Sequence, residues 1–196
     1  MIHRISESIA GLLLRNEIVC REEKEIYVYG LEVGIGNALL LLALLLVSLL
    51  FGYIQHYLVF LMVFLPLRVF AGGIHAKTQL RCFIVSVSTY LLSLLAAEFA
   101  SAFFRSPLMT AIAGVMLLIT AAIAPVEHKN NPLLPEERNR NRKIVQILLP
   151  IDLIIYILFF LWFPKMASSM VILILVHFIL MMFGKMTSYL SKDVSG

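Results

Sequence analysis

Residues 33–67 form one uncharged run, VGIGNALLLLALLLVSLLFGYIQHYLVFLMVFLPL. As a single α-helix this run would be about 52 Å long. The hydrocarbon core of a bilayer is only about 30 Å thick, and about 20 apolar residues cross it. The run must therefore fold back on itself, and residues 51–56, FGYIQH, are the best place for the turn. This stretch alone predicts two consecutive membrane segments, at about 30–51 and 54–70.

Further apolar segments follow at about 82–104, 107–126, 144–163 and 167–187. The chain is 61% hydrophobic and only 14% charged, far more apolar than ordinary soluble domains. The sequence therefore predicts an all-α polytopic membrane protein with about six membrane segments. The second segment is short and reaches spanning length only if Arg68 extends to the interface, so a re-entrant course is an alternative.

The basic residues predict the orientation of these segments. Lys and Arg occur four times before the first segment, three times at 68–81, five times at 129–143 and twice near the C-terminus. The alternate loops contain Arg105 alone and Lys165 alone. Because positive charge is enriched in cytoplasmic loops, we expect a cell-membrane protein with both termini in the cytoplasm. The net charge of +4 gives no reason to expect nucleic acid as a partner.

The first 25 residues are amphipathic, unlike the apolar segments that follow them. Within 1–19, apolar residues recur at steps of three and four with charges between them, the pattern of an amphipathic helix. We expect residues 1–25 to lie on the cytoplasmic leaflet of the lipid bilayer. Cys20 stands among glutamates, which disfavour a thiolate, and is expected to be non-catalytic.

Gly30 and Gly34 form a GxxxG motif at the start of the first membrane segment. Such a motif lets two helices approach closely. Packing within the chain is the favoured interpretation, and the seam of a homodimer is the alternative.

Residues 125–143, PVEHKNNPLLPEERNRNRK, form the longest polar segment. Its three prolines make a helix unfavourable through the first half, so 126–143 is predicted to be a basic cytoplasmic loop. Four positive charges fall within residues 138–143. There are two interpretations of these charges. In the first they only retain the loop in the cytoplasm, and in the second they also dock an acidic segment of a partner.

Residues 71–82, AGGIHAKTQLRC, join the second and third membrane segments. Gly72 and Gly73 together cost a helix about 2 kcal/mol relative to alanine, so they predict a break and a tight turn. Thr78 is a suitable N-cap for the next helix. Cys82 would then lie in the first turns of that helix, where unbonded N–H groups and the helix dipole favour a thiolate.

His75 and Cys82 would be about 10.5 Å apart along the axis if 75–82 were all helical, too far for proton transfer. With His75 on the glycine turn, its imidazole can fold back toward Cys82. The pair would then act as a general base and a nucleophile toward an acyl carbon. The alternative is that both are bystanders in a loop. An acid that orients His75 would be Glu32, Glu127 or Asp152.

A metal site is not expected. His75, Cys82 and His128 would need further ligands in a convergent geometry to bind zinc. No other feature of the sequence calls for a cofactor.

Residues 68–82, RVFAGGIHAKTQLRC, resemble the signature of the AgrB family, the accessory gene regulator B peptidases of Gram-positive quorum sensing. Residues 124–132, APVEHKNNP, are similar to the family's central cytoplasmic loop. The resemblance implies a single membrane-embedded peptidase domain over 1–196, with a catalytic cytoplasmic turn at 68–81. It implies a cysteine endopeptidase that removes the acidic tail of an AgrD-like propeptide and enables cyclisation to a thiolactone or lactone.

The resemblance also implies roles for individual residues. Cys82 would be the nucleophile that forms a thioester, and His75 its base. The supporting residues would be Arg68, Gly72, Gly73, Thr78 and Gln79. The basic residues of the polar segment would hold the acidic tail: Lys129, Arg138, Arg140, Arg142 and Lys143.

Two other functions are compatible with the residues. The first is a membrane cysteine peptidase of the same mechanism in which water resolves the acyl-enzyme. The second is a non-enzymatic exporter or scaffold. Its path would be lined by polar residues within the membrane segments: Asn37, Glu98, Asp152 and His177.

Overall fold

The computed structural model describes residues 2–73, 79–127 and 133–193. In this part of the chain the regular structure is helical, which confirms the all-α class. The helices are α1 (Ile2–Arg15), α2 (Lys24–Leu50), α3 (Ile54–Val59), α4 (Leu65–Phe70), α5 (Gln79–Phe99), α6 (Ser101–Phe104), α7 (Pro107–Ile123), α8 (Pro135–Trp162) and α9 (Pro164–Asp193). A 3₁₀ turn at Arg21–Glu23 precedes α2, and a π-helical segment at Phe60–Phe64 joins α3 to α4.

The membrane segments follow the predicted order. Within the described ranges, four helices are long and apolar enough to cross a bilayer: Arg21–Leu50, Cys82–Phe99, Pro135–Trp162 and Pro164–Ser188. Two apolar helices are shorter, Ile54–Phe70 and Pro107–Ile123. The chain is therefore a multi-pass membrane protein, and its second segment is short, as predicted.

The long apolar run folds back where the sequence predicts. Helix α2 ends at Leu50, and Gly52 has φ +76°, a left-handed conformation that glycine adopts without steric cost. The Tyr53 N–H donates to the Ser48 carbonyl at 2.7 Å, and Ile54 begins the next helix. This turn sets the two segments side by side.

Helix α9 is the centre of the bundle. About 61% of its most apolar stretch is buried, against 11% for the corresponding stretch of α2. Small residues near its start, Ala167, Ser168 and Ser169, are buried and let neighbouring helices approach closely. Helix α9 contacts α3, α5, α6, α7 and α8.

A polar network connects four of these helices within the apolar core. The His56 ring accepts or donates hydrogen bonds at both nitrogens, with Nδ1 3.0 Å from Ser169 Oγ and Nε2 3.0 Å from Ser93 Oγ. The Tyr90 hydroxyl, one turn from Ser93, is hydrogen-bonded to the Ser48 hydroxyl. Buried polar side chains without partners are costly in an apolar environment, so this network favours one arrangement of α2, α3, α5 and α9.

Helix α1 is amphipathic, as its spacing predicts. Its buried residues are Ser6 and Ala10, and it packs along the first part of α2. The His3 Nδ1 is hydrogen-bonded to the Glu32 carboxylate of α2. The N-terminal helix is therefore attached to the bundle through α2.

The GxxxG interpretation that favoured packing within the chain is wrong for the described residues. A Cβ built at Gly30 or Gly34 would meet no described heavy atom of another element within 4 Å. Both glycines instead line an open apolar groove with Tyr27 and Leu31.

The basic segment is helical earlier than predicted. Helix α8 begins at Pro135, so residues 138–143 lie in its first turns and not in a loop. The Leu134 N–H donates to the Glu137 carboxylate at 3.0 Å, and proline at the first helical position needs no N–H partner. These local signals start the helix despite the neighbouring prolines.

We expect His56→Phe to destabilise the bundle by about 1–2 kcal/mol, because the ring is kept while the Ser93 and Ser169 hydroxyls lose their shared partner. The unfolding midpoint of the protein in detergent measures this change. Gln55→Leu, at the exposed neighbouring position, is the control and should leave the midpoint unchanged. An unchanged midpoint for His56→Phe would contradict the structural role of the network.

Candidate functional site

The second membrane helix ends at the double glycine. Helix α4 stops at Phe70, and the Ala71 N–H donates to the Leu67 carbonyl at 2.8 Å. Gly72 has φ +85° and Gly73 has φ +142°, values that side chains other than hydrogen strongly disfavour. The predicted helix break at these residues is confirmed.

A short backbone bridge joins this turn to the segment that follows α7. The Val126 N–H donates to the Ala71 carbonyl at 2.9 Å, and Gly72 pairs with Val126 in a parallel bridge. A Cβ at Gly72 would overlap the Val126 carbonyl oxygen. Glycine is therefore required at 72 both for its conformation and for the close approach of the two backbones.

The bridge lies on a small apolar cluster that is separate from the main core. Its buried members are Ala71, Ala124, Val126, Val145 and Met181. They come from the ends of α4 and α7 and from α8 and α9. Four membrane helices thus hold the turn in place.

Arg68, Gly73 and Cys82 lie together at this turn. The Arg68 Nη1 is buried, and a Cβ at Gly73 would overlap it. Cys82, on the first turn of α5, is half-buried and close enough to the Arg68 guanidinium for an electrostatic interaction. This arrangement places a permanently charged side chain near the thiol.

His177 is a further residue near Arg68 that could not be assigned to this site from the sequence. It is 1% exposed, packs edge-on against the Phe64 ring at 6.1 Å and interacts electrostatically with Arg68. Neither ring nitrogen has a hydrogen-bond partner among the described residues. The signal that could have identified His177 is its ionisable side chain within a membrane segment.

The three candidate acids occupy different places. Glu127 directly follows Val126, and its carboxylate is 3.6 Å from the Arg138 guanidinium. Glu32 is bonded to His3 on α1. Asp152 is fully buried seven residues beyond Val145, about 10.5 Å further along α8. Glu127 is therefore the acid that adjoins the glycine turn.

Several predicted site residues lie outside the described residues: His75, Thr78 and Lys129. Only the backbone of Gln79 is described, at the start of α5. The approach of His75 to Cys82 and the capping role of Thr78 therefore stay predictions.

The basic residues of α8 differ in their surroundings. Arg138 pairs with Glu127 and lines a cleft beside the bridge. Arg140, Arg142 and Lys143 are exposed on the same helix. The described residues contain no group of three or more histidine, cysteine or acidic side chains placed to bind a metal ion.

The polar residues proposed for an export path are distributed over the bundle. Asn37 is exposed on α2. The Glu98 carboxylate is 3.6 Å from the Lys165 ammonium, at the opposite end of α5 from Cys82. Asp152 and His177 are each 1% exposed.

Comparison with known proteins gives one family. The family model described as Accessory gene regulator B matches residues 6–185. No curated protein and no solved structure matches the chain. The matched range includes α2 to α8, the glycine turn, Cys82 and most of α9.

We expect Gly72→Ala to lower the free energy of unfolding by about 1–3 kcal/mol, because it strains the backbone and drives Val126 from Ala71. Gly114→Ala is the matched control, since a Cβ there meets no described atom within 4 Å and α7 favours alanine. The unfolding midpoint in detergent compares the two variants. Equal midpoints would show that the bridge does not hold the turn.

Proposed function

The chain belongs to the accessory gene regulator B family, and on that premise we propose that it is a membrane cysteine endopeptidase with Cys82 as nucleophile and His75 as base. Membership supports a role in the processing of a quorum-sensing propeptide within the membrane. One observation carries the assignment to Cys82. Its half-buried thiol begins a membrane helix beside the Arg68 guanidinium and the Gly73 turn.

Chain connectivity supports the proposed dyad. His75 follows Gly73 by two residues, and two residues span at most about 7 Å. Gly73 adjoins the guanidinium that interacts with Cys82. This chain length is compatible with the proposed approach of His75 to Cys82, and the glycines at 72 and 73 provide a turn just before it.

Cleavage then follows as an acyl transfer. The Cys82 sulfur attacks the carbonyl carbon at the end of the signal segment, and His75, which takes the thiol proton, donates it to the departing amine nitrogen. The C–N bond breaks, the acidic tail leaves and a C–S bond forms. The Arg68 guanidinium would stabilise the negative charge that develops on the carbonyl oxygen during the attack.

The thioester keeps the acyl group activated for a second transfer. An internal cysteine thiol or serine hydroxyl of the bound peptide attacks the same carbonyl, which closes a thiolactone or lactone and returns the Cys82 thiol. No ATP is consumed. Water must be excluded while the ring closes, and the apolar cluster under the turn, with Ala71 and Met181 fully buried, favours this.

Two surfaces would bind the rest of the propeptide. Helix α1 and the adjoining leaflet would receive its amphipathic leader, since both have an apolar and a charged face. The basic residues at the start of α8 and before it would hold the acidic tail: Lys129, Arg138, Arg140, Arg142 and Lys143. Both surfaces and the dyad would face the cytoplasm, as the distribution of positive charge indicates.

We expect Cys82→Ala and His75→Ala each to lower the cleavage of a co-expressed AgrD-like propeptide by at least about a thousandfold, because each removes one half of the nucleophile and base pair. Cys20→Ala, at the exposed second cysteine, is the control and should retain activity. Mass spectrometry of the products measures both outcomes.

The mass of the product separates cyclisation from hydrolysis, since the cyclic peptide is lighter than the linear one by one water. A linear product alone would contradict cyclisation. Full processing by Cys82→Ala, with the variant inserted normally in the membrane, would contradict the peptidase itself and favour an exporter or scaffold.

A further inference from the structure

A polar cleft of about 240 Å³ lies beside the glycine turn. Three side chains give it charge, Glu127, Arg138 and Lys185, and the Ser188 hydroxyl adds a polar group. Its wall includes Val126, the residue that bonds the Ala71 carbonyl. The cleft therefore adjoins the backbone bridge that holds the glycine turn.

The cleft has an excess of positive charge. Glu127 is the single acid that lines it, against two cations, Arg138 and Lys185. The Glu127 carboxylate is 3.6 Å from the Arg138 guanidinium, and both side chains are substantially exposed. Among the described residues, Lys185 forms no ion pair within 4 Å. An exposed pair at this separation is weak and exchanges readily with other charges.

Two hydrogen bonds hold the backbone at the cleft in place. The Ser188 hydroxyl of α9 donates to the Glu127 carbonyl at 3.1 Å. One residue earlier, the Val126 N–H donates to the Ala71 carbonyl. The Glu127 side chain can therefore change partners while its backbone stays fixed.

We infer that this cleft binds carboxylates of the propeptide's acidic tail through Arg138 and Lys185, and that Glu127 is an internal carboxylate which the tail displaces. This inference rests on the proposed function. Carboxylates form strong charge-assisted hydrogen bonds with guanidinium and ammonium groups. The tail begins at the scissile bond, so a tail docked in this cleft keeps the scissile carbonyl close to the bridge and the glycine turn.

Glu127 also sets the number of negative charges that a tail needs in order to bind the cleft. Glu127 is tethered beside Arg138, so a single weakly held carboxylate of a peptide competes poorly with it. Several carboxylates on one peptide compete well, because their effective concentration at the cleft is high. A tail with few acids leaves Glu127 paired with Arg138. The cleft thereby selects for tails that carry several negative charges.

The test is steady-state cleavage of the propeptide by the full chain in liposomes. Lys185→Gln should raise KM about fivefold or more and leave kcat within about twofold, because it removes binding that does not change during the reaction. Glu127→Gln should lower KM, most for a propeptide in which half of the tail acids are replaced by amides. Lys165→Gln, at the other end of α9, is the control and should change neither constant.

Reversing one charge on the enzyme and one on the tail gives a second test, in which recovery of cleavage shows that the variant enzyme is folded. Lys185→Glu should cleave the natural propeptide poorly and should recover with a tail in which one acid is replaced by lysine. Unchanged KM in Lys185→Gln, or no recovery with the exchanged tail, would overturn the cleft assignment. A fall in kcat for Glu127→Gln with KM unchanged would overturn the competitor role and favour Glu127 as the acid that orients His75.

The two proposals fail differently. Absence of cleavage by the unaltered chain would refute the peptidase. Cleavage at the same KM by all cleft variants would refute only the proposal that the cleft binds the acidic tail.

Discussion

The hydrogen bond from the Val126 N–H to the Ala71 carbonyl, 2.9 Å long, fixes the end of one membrane helix against the end of another. It requires glycine at 72, because a side chain there would overlap the Val126 carbonyl oxygen. Arg68 interacts with Cys82 near the turn that this bridge holds, and Val126 of the bridge also lines the cleft with Glu127 and Lys185. One backbone contact thus relates the proposed nucleophile to the surface that would hold the leaving segment.

The apolar surroundings of the bridge increase the effect of the few charges near it. Arg68 interacts electrostatically with both Cys82 and the fully buried His177, and its Nη1 lies against Gly73. Electrostatic interactions are stronger where water is excluded, so a fixed cation there can stabilise an oxyanion more than it would at a surface. The same exclusion of water would protect a thioester long enough for a second nucleophile to reach it.

Features with a local chemical cause were predictable from the sequence, and those that depend on packing between distant segments were not. Gly52 marks the turn of the long apolar run, and the glycines at 72 and 73 mark a helix end, because each residue acts on its own backbone. Lys185 and His177 lie more than fifty residues beyond Val126, so only the placement of α9 brings them to the site. The GxxxG motif that begins at Gly30 was predicted to pack within the chain, and this was wrong. The motif itself does not say whether a helix presents it to the rest of the chain or to the lipid.

The proposed thioester on Cys82 is tested most directly by intact-protein mass spectrometry. The protein in liposomes is mixed with a propeptide whose internal cysteine or serine is replaced by alanine, and the reaction is quenched in acid at successive times. We expect an adduct on Cys82 with the mass of the leader and signal segment, which forms as the tail is released and which hydroxylamine removes. Release of the tail while Cys82 stays unmodified at every time would contradict the thioester intermediate.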